Sequence, residues 1–240
     1  LFEKITDKQD FVTRDAVIDG FARMYAASPE EFPSGCAEGE YRRKLEAAYP
    51  IHPELFDRLY GEWSVLDKFQ RTRGVLRLLA KVVHRLWESQ DGGYLIMPSS
   101  VPMDDNAVKS ELTRYLDDKW EPIISGDVDG HGSLPLKLDN EIPSLGRFSA
   151  ARRVGRTLYV GTAPGSRAKN PGIDDRQVRL GCAQPGETPA VYGDALRRIS
   201  DKAKYVHQDG NRYWVSTKAN LNRLAEDRAV APSRHMQWRS

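Results

Sequence analysis

No Gly-x-x-x-x-Gly-Lys-[Ser/Thr] occurs anywhere in the 240 residues, and no apolar strand ends in the Asp-Glu of a metal-and-water site. The backbone cradle and lysine that hold nucleotide phosphates are therefore missing, and the chain alone is not expected to hydrolyse ATP. Cysteine is scarce. Cys36 and Cys182 lie far apart without metal-ligand spacing, which reads as two reduced thiols in a cytoplasmic protein. The five histidines (52, 84, 131, 207 and 235) show no His-x-x-x-His spacing, so no zinc site is expected. No apolar run approaches the ~20 residues of a membrane helix, and no leader resembles a signal peptide. Ser149 and Ser166 sit in no nucleophile elbow. The first residue is Leu1 rather than Met, so a longer parent protein is expected.

The net charge of +2 hides an asymmetry. Residues 1–146 carry 18 Lys+Arg against 26 Asp+Glu, whereas residues 147–223 carry 15 against 6. A basic stretch of that size attracts polyanions, because each cation near a phosphate releases condensed counterions. The plain alternative is a basic surface that docks on an acidic one.

Periodicity divides the chain into a mainly α protein with a little β. Helices are expected over 13–27 (capped by Thr13), 40–48, 53–63 (Pro53 as first residue) and, most strongly, 66–89, ended by Gly92-Gly93. Tyr94–Met97 reads as a short strand, and Asp104 or Asp105 as the cap of a helix through Leu116. Residues 119–145, rich in Gly, Pro and Asp, show no sustained period and read as an irregular connection. Asp127, Asp129, His131 and Asp139 in that stretch form a sparse imitation of a calcium loop. The twelve-residue ligand pattern is lacking, so a solvated loop is expected. Further helices are expected over 144–162, 174–182 and 187–203. Asp209-Gly210 then turns a hairpin of 204–208 and 211–215, and a last helix starts near Asn220. Three helices followed by a hairpin outline a winged helix, with 187–203 as recognition helix and the hairpin as wing. Expected boundaries are a helical domain over 1–98, a connecting segment over 99–145 and a winged-helix-like basic domain over 146–228.

Two places carry candidate chemistry. Gly74-x-x-Arg77 sets a guanidinium on the first turns of the strongest helix, with Leu76, Leu79 and Val83 behind it, and Arg71 and Arg73 are near. Arginine suits phosphate because its planar fork gives two donors and stays charged. The alternative is that Arg77 pairs with an acid of the same helical unit and Gly74 permits close packing. In the basic half, Arg197, Arg198 and Lys202 share a helix, and Lys204 and Arg212 flank the hairpin among Tyr205, Tyr213 and Trp214. Cations interleaved with aromatics suit a nucleic-acid surface, although one of Tyr213 and Trp214 must point inward. His52, between two prolines, reads as a residue that satisfies backbone groups at a helix start.

Four blocks carry a resemblance: Tyr49-Pro-Ile-His-Pro-Glu-Leu-Phe-Asp-Arg-Leu-Tyr60, Phe69-Gln-Arg-Thr-Arg-Gly-Val-Leu-Arg-Leu-Leu-Ala80, Ser149-Ala-Ala-Arg-Arg-Val154 and Gly193-Asp-Ala-Leu-Arg-Arg-Ile-Ser200. Over most of residues 1–228 the chain resembles a family of large prokaryotic predicted AAA+-superfamily ATPases. The family is of unknown function and often encoded near DNA-modification or phage-defence genes. The resemblance implies an AAA+ helical lid followed by a winged helix, with ATP and Mg held by a core upstream in the parent protein. No cofactor is expected for this fragment. It implies that Arg77 is the sensor-two arginine, with Gly74 beside the nucleotide and with Arg73 or Arg71 facing nucleotide or a neighbouring subunit of a homo-oligomer. Val75 departs from the Asn or Asp usual there. The expected function is thus the regulatory, weakly duplex-DNA-binding end of an ATP-binding protein. The alternative is a scaffold whose winged helix docks an operon partner such as a methyltransferase or nuclease.

Overall fold

Residues 7–66, 69, 72–166, 168–169 and 171–220 are described by the computed structural model of the chain. Arg71, the helix expected near Asn220 and His235 lie outside the described residues.

The first helix, α1, spans Lys8–Ala27 and starts earlier than expected. Asp7 caps it by accepting from Gln9 N at 2.7 Å, while Thr13 sits inside the helix and donates to Gln9 O. Ile18, Phe21 and Tyr25 are its buried face. Helix α2 (Gly39–Ala48) follows the expected loop, and α3 (Pro53–Arg58) runs into a π-turn over Leu59–Trp63. His52 caps α3: its Nδ1 accepts from Glu54 N at 3.1 Å. That leaves the ring proton on Nε2, which donates to Tyr25 Oη at 2.8 Å. His52 is fully buried, and burial lowers its pKa from 6.5 to about 3.

Helix α4 is described over Thr72–Glu88 and buries Val75, Leu78, Leu79 and Val82. Leu76 points out at 51% exposure and Trp87 at 77%, so neither belongs to the inner stripe. The helix ends before Gly92-Gly93, in a turn where Gln90 takes a φ of 53°. Of the expected strand at Tyr94–Met97 only one bridge forms, Ile51 to Ile96. Asp105 caps α5 (Asn106–Thr113) through Ala107 N and Val108 N.

The stretch 119–145 is not irregular. It holds α6 (Trp120–Ile123), a π-turn over Ile124–Val128, α7 (Leu134–Glu141) and α8 (Pro143–Gly146). Its prolines lie in the first turns of these short helices, where a missing N–H costs nothing. The single helix expected over 144–162 is two, broken at Ser149 with a φ of 51° before α9 (Ala150–Thr162).

The last third reads α9, β1 (Ile173–Asp174), α10 (Asp175–Leu180), α11 (Ala190–Lys202), β2 (Val206–Asp209) and β3 (Arg212–Val215). The strands form one antiparallel sheet in the order β1-β3-β2. Asp209 pairs with Arg212, so the two-residue turn is Gly210-Asn211, one step beyond the expected Asp209-Gly210. The fold is thus mainly helical with a small sheet, as the sequence suggested.

Helix α9 is the hub. Ten of its thirteen residues are buried, and one hydrophobic cluster runs from Ile18 to Val215. Trp63 Nε1 donates to Val160 O at 2.8 Å, which ties the π-turn after α3 to α9 across the charge divide. No helix among the described residues is long and apolar enough to cross a membrane.

Candidate functional site

Arg77 lies where expected on α4, but its fork is engaged. Its Nε donates to Glu111 Oε1 at 2.6 Å, and its Nη2 donates to Tyr115 Oη. Lys81 Nζ holds the other oxygen of Glu111 at 2.7 Å, and Tyr115 donates to the same carboxylate at 2.9 Å. Glu111 is 1% exposed. Burial pushes its carboxyl up, but the hydrogen bonds and charges of Lys81 and Arg77 outweigh it and hold the group below its ordinary range. Arg77 thus pairs with an acid, but one on α5, in the expected connecting segment and not in the helical unit of 1–98. Gly74 is buried against Phe69, where a Cβ would lie 1.9 Å from the carbonyl oxygen, so close packing fixes its identity. Arg73 is exposed at the head of α4.

The aspartates of 119–145 form neither a solvated loop nor a calcium site; no metal-holding group occurs among the described residues. Two of them peg α9 and the third the approach to β2. Asp139 accepts from Ala151 N at 2.9 Å and Arg152 N at 3.1 Å, capping α9 where Ser149 does not. Asp129 is 1% exposed and grips two arginines of α9: Arg152 Nε at 2.8 Å and Arg156 Nε at 2.6 Å. Asp127 accepts from Tyr205 N at 2.7 Å and fixes the approach to β2. Burial pushes Asp127 and Asp139 up in spite of these bonds. For Asp104, burial is outweighed by Arg156 and Arg152, which hold the carboxyl low.

A cavity of about 630 Å³ opens between the end of α4 and the start of α9. Arg85, Arg152, Arg153 and Arg156 line it, with Asp104 and Glu187. Arg152 and Arg156 reach Asp104 as well as Asp129, and Arg153 reaches Glu187 and Tyr192 Oη, each at 2.8 Å. The cleft is therefore charge-compensated rather than an open anion trap.

Of the five expected nucleic-acid residues, Arg197, Arg198 and Lys202 fall on α11, Arg212 on β3, and Lys204 in the link between α11 and β2. Arg197 and Arg198 both fork onto Asp194, Arg198 Nε at 2.8 Å, with Arg197 70% exposed. Lys202 and Lys204 are exposed. Arg212 donates to Pro171 O at 3.1 Å and to Gly172 O. Tyr213 packs against the core, while Trp214 takes the other face of the strand. Cys36 and Cys182 are buried and unbonded to each other, and burial raises their pKa values to about 11 and about 12. Neither is an activated nucleophile.

Fold and site define a mainly helical module with a small antiparallel sheet, held by buried carboxylate–arginine pairs and carrying a basic end. The chain belongs to the family described as the DUF499 second domain, whose model matches residues 26–146, from the end of α1 to the end of α8. No curated protein and no solved structure matches the chain.

Proposed function

We propose that this chain is the regulatory, nucleic-acid-binding part of a larger ATP-binding protein, with residues 147–220 as its winged-helix-like contact surface. The observation that carries the reading is the order α9–β1–α10–α11–β2–β3 with a β1-β3-β2 sheet, in the most basic part of the chain. In such an arrangement α11 is the helix that enters a groove and β2–β3 the wing. Arg197, Arg198, Lys202, Lys204 and Arg212 are the cations in reach of phosphates. Asp194 holds the first two in a fan on the exposed side of α11, and Arg197 keeps most of its surface in solvent.

The lid reading of residues 7–98 sits less well on its arginine. Arg77 is committed to Glu111 and Tyr115, so it does not fit a phosphate contact in this arrangement. Arg73 is the described arginine of that motif that faces solvent. ATP and Mg belong, in this reading, to a core elsewhere in the parent protein.

A scaffold role is favoured by a separate observation. Leu76, Trp87 and Tyr94 leave apolar surface on α4 and the loop after it, at 51%, 77% and 53% exposure, and exposed aromatics mark protein interfaces. Duplex-DNA binding by the 240-residue chain across a salt series separates the two. Affinity that falls steeply with salt supports the nucleic-acid reading, and salt-independent or absent binding supports the scaffold.

A further inference from the structure

The wing sheet has two unlike faces. Val206 and Val215, paired across β2 and β3, are buried toward the helices. Strand alternation turns the next pair, His207 and Trp214, to the opposite face. Their rings stack there, 5.5 Å apart between centroids and 12° from parallel. Lys218 O can only accept, so His207 Nε2–H donates to it, at 2.8 Å, and the imidazole plane is fixed. Trp214 also lies close to Gly172, whose φ is +97° and where a Cβ would stand 3.3 Å from the indole and 2.7 Å from Tyr213 O. The backbone at 172 is flush with the sheet because no side chain fits.

Cations rim this surface. Arg212 shares the face of Trp214 by alternation and is anchored by the carbonyls of Pro171 and Gly172. Lys218 and Lys204 are exposed along the edge, where Ser216 N bonds Tyr205 O and Asn220 N bonds Lys204 O. A rigid pair of stacked rings inside a basic rim is the chemistry that unpaired bases recognise. In a duplex the base faces are hidden, whereas a single strand offers them, and stacking on aromatics tolerates any base. We propose that the outer face of the wing sheet binds single-stranded nucleic acid, with an unpaired base stacked on the His207–Trp214 pair and with Arg212, Lys204 and Lys218 along the backbone. The proposal rests on the reading of residues 147–220 as a nucleic-acid surface and adds the kind of strand that its wing prefers. Trp87, the most exposed large apolar side chain described, lies in the half where acids outnumber bases, which repels a polyanion and makes it a control.

The test is fluorescence anisotropy of a labelled ~12-nucleotide oligothymidylate and of a labelled duplex with the 240-residue chain. Trp214→Ala is expected to weaken the single strand by about tenfold and the duplex by less than about twofold, with Trp214→Phe keeping most of the affinity. Trp87→Ala is expected to change neither. Should Trp214→Ala fail to fold by circular dichroism, Trp214→Phe and His207→Ala carry the test, and His207→Ala is expected to cost the single strand about fivefold. Single-strand affinity indifferent to ring loss, equal losses for strand and duplex, or an equal effect of Trp87→Ala would overturn the proposal. Salt-dependent duplex binding surviving that failure leaves the broader reading intact. Absence of binding to either nucleic acid removes both.

Discussion

Arg77 on α4 and Arg197 on α11 occupy similar places on amphipathic helices, and the carboxylates they meet set them apart. Glu111 is buried, so Arg77 and Lys81 neutralise a charge that water cannot reach. Asp194 is part-exposed and shares Arg197 and Arg198 at the surface. A buried carboxylate holds its arginine because desolvation makes an unpaired charge expensive, while an exposed pair exchanges with solvent at little cost. Availability of an arginine for phosphate is thus decided by its partner's burial more than by the motif around it.

Stability measurements sharpen that contrast. Arg77→Ala with Lys81→Ala leaves Glu111 buried with only the Tyr115 hydroxyl and the longer 3.9 Å contact to Arg114, and should cost about 3–5 kcal/mol in denaturant unfolding. Arg197→Ala with Arg198→Ala should stay within about 0.5 kcal/mol of the parent chain. Equal costs for the two pairs would erase the distinction.

Next in size comes the peg between the acidic and basic parts. Asp129→Asn removes the charge that Arg152 and Arg156 share and leaves both facing Asp104 alone, for an expected loss of about 3 kcal/mol. Thermal unfolding that shifts by no more than a surface substitution would show that α9 is held by its apolar face instead.

Much of this was legible in the sequence, and the misses share a cause. Pro53 as first helical residue and His52 as its cap follow from backbone chemistry alone, as does a hairpin near Gly210. The inner face of α4 emerged from period, but Leu76, expected behind Arg77 with Leu79 and Val83, points outward because periodicity does not say how wide the covered stripe is. Residues 119–145 looked structureless since Pro135 and Pro143 read as breakers and the π-turn over Ile124–Val128 disrupts the helical period. Asp127, Asp129 and Asp139 looked like loop residues; their partners, Tyr205, Arg152, Arg156 and the head of α9, lie too far along the chain for spacing to reveal them.

A pH-dependent effect separates the first helices from the rest. His52 stays neutral in the fold down to about pH 3, whereas its ordinary value is 6.5. Between those limits the unfolded chain binds a proton that the folded chain does not. Stability therefore falls as pH falls from 6.5 toward 3, by ~1.4 kcal/mol per unit from this residue. His52→Gln, compared with the parent chain at each pH, should remove that slope whatever fixed cost it adds. Parallel curves for the two proteins would mean that His52 is not the proton-linked group.

The salt dependence of duplex-DNA binding by the 240-residue chain tests the central claim most directly. If Arg197, Arg198, Lys204 and Arg212 each meet a phosphate, log affinity against log salt should run with a slope of roughly −3 to −4, and Arg197→Ala with Arg198→Ala should flatten it by about two. A slope near zero, or one unchanged after all four cations are removed, would contradict a nucleic-acid surface on α11 and the wing.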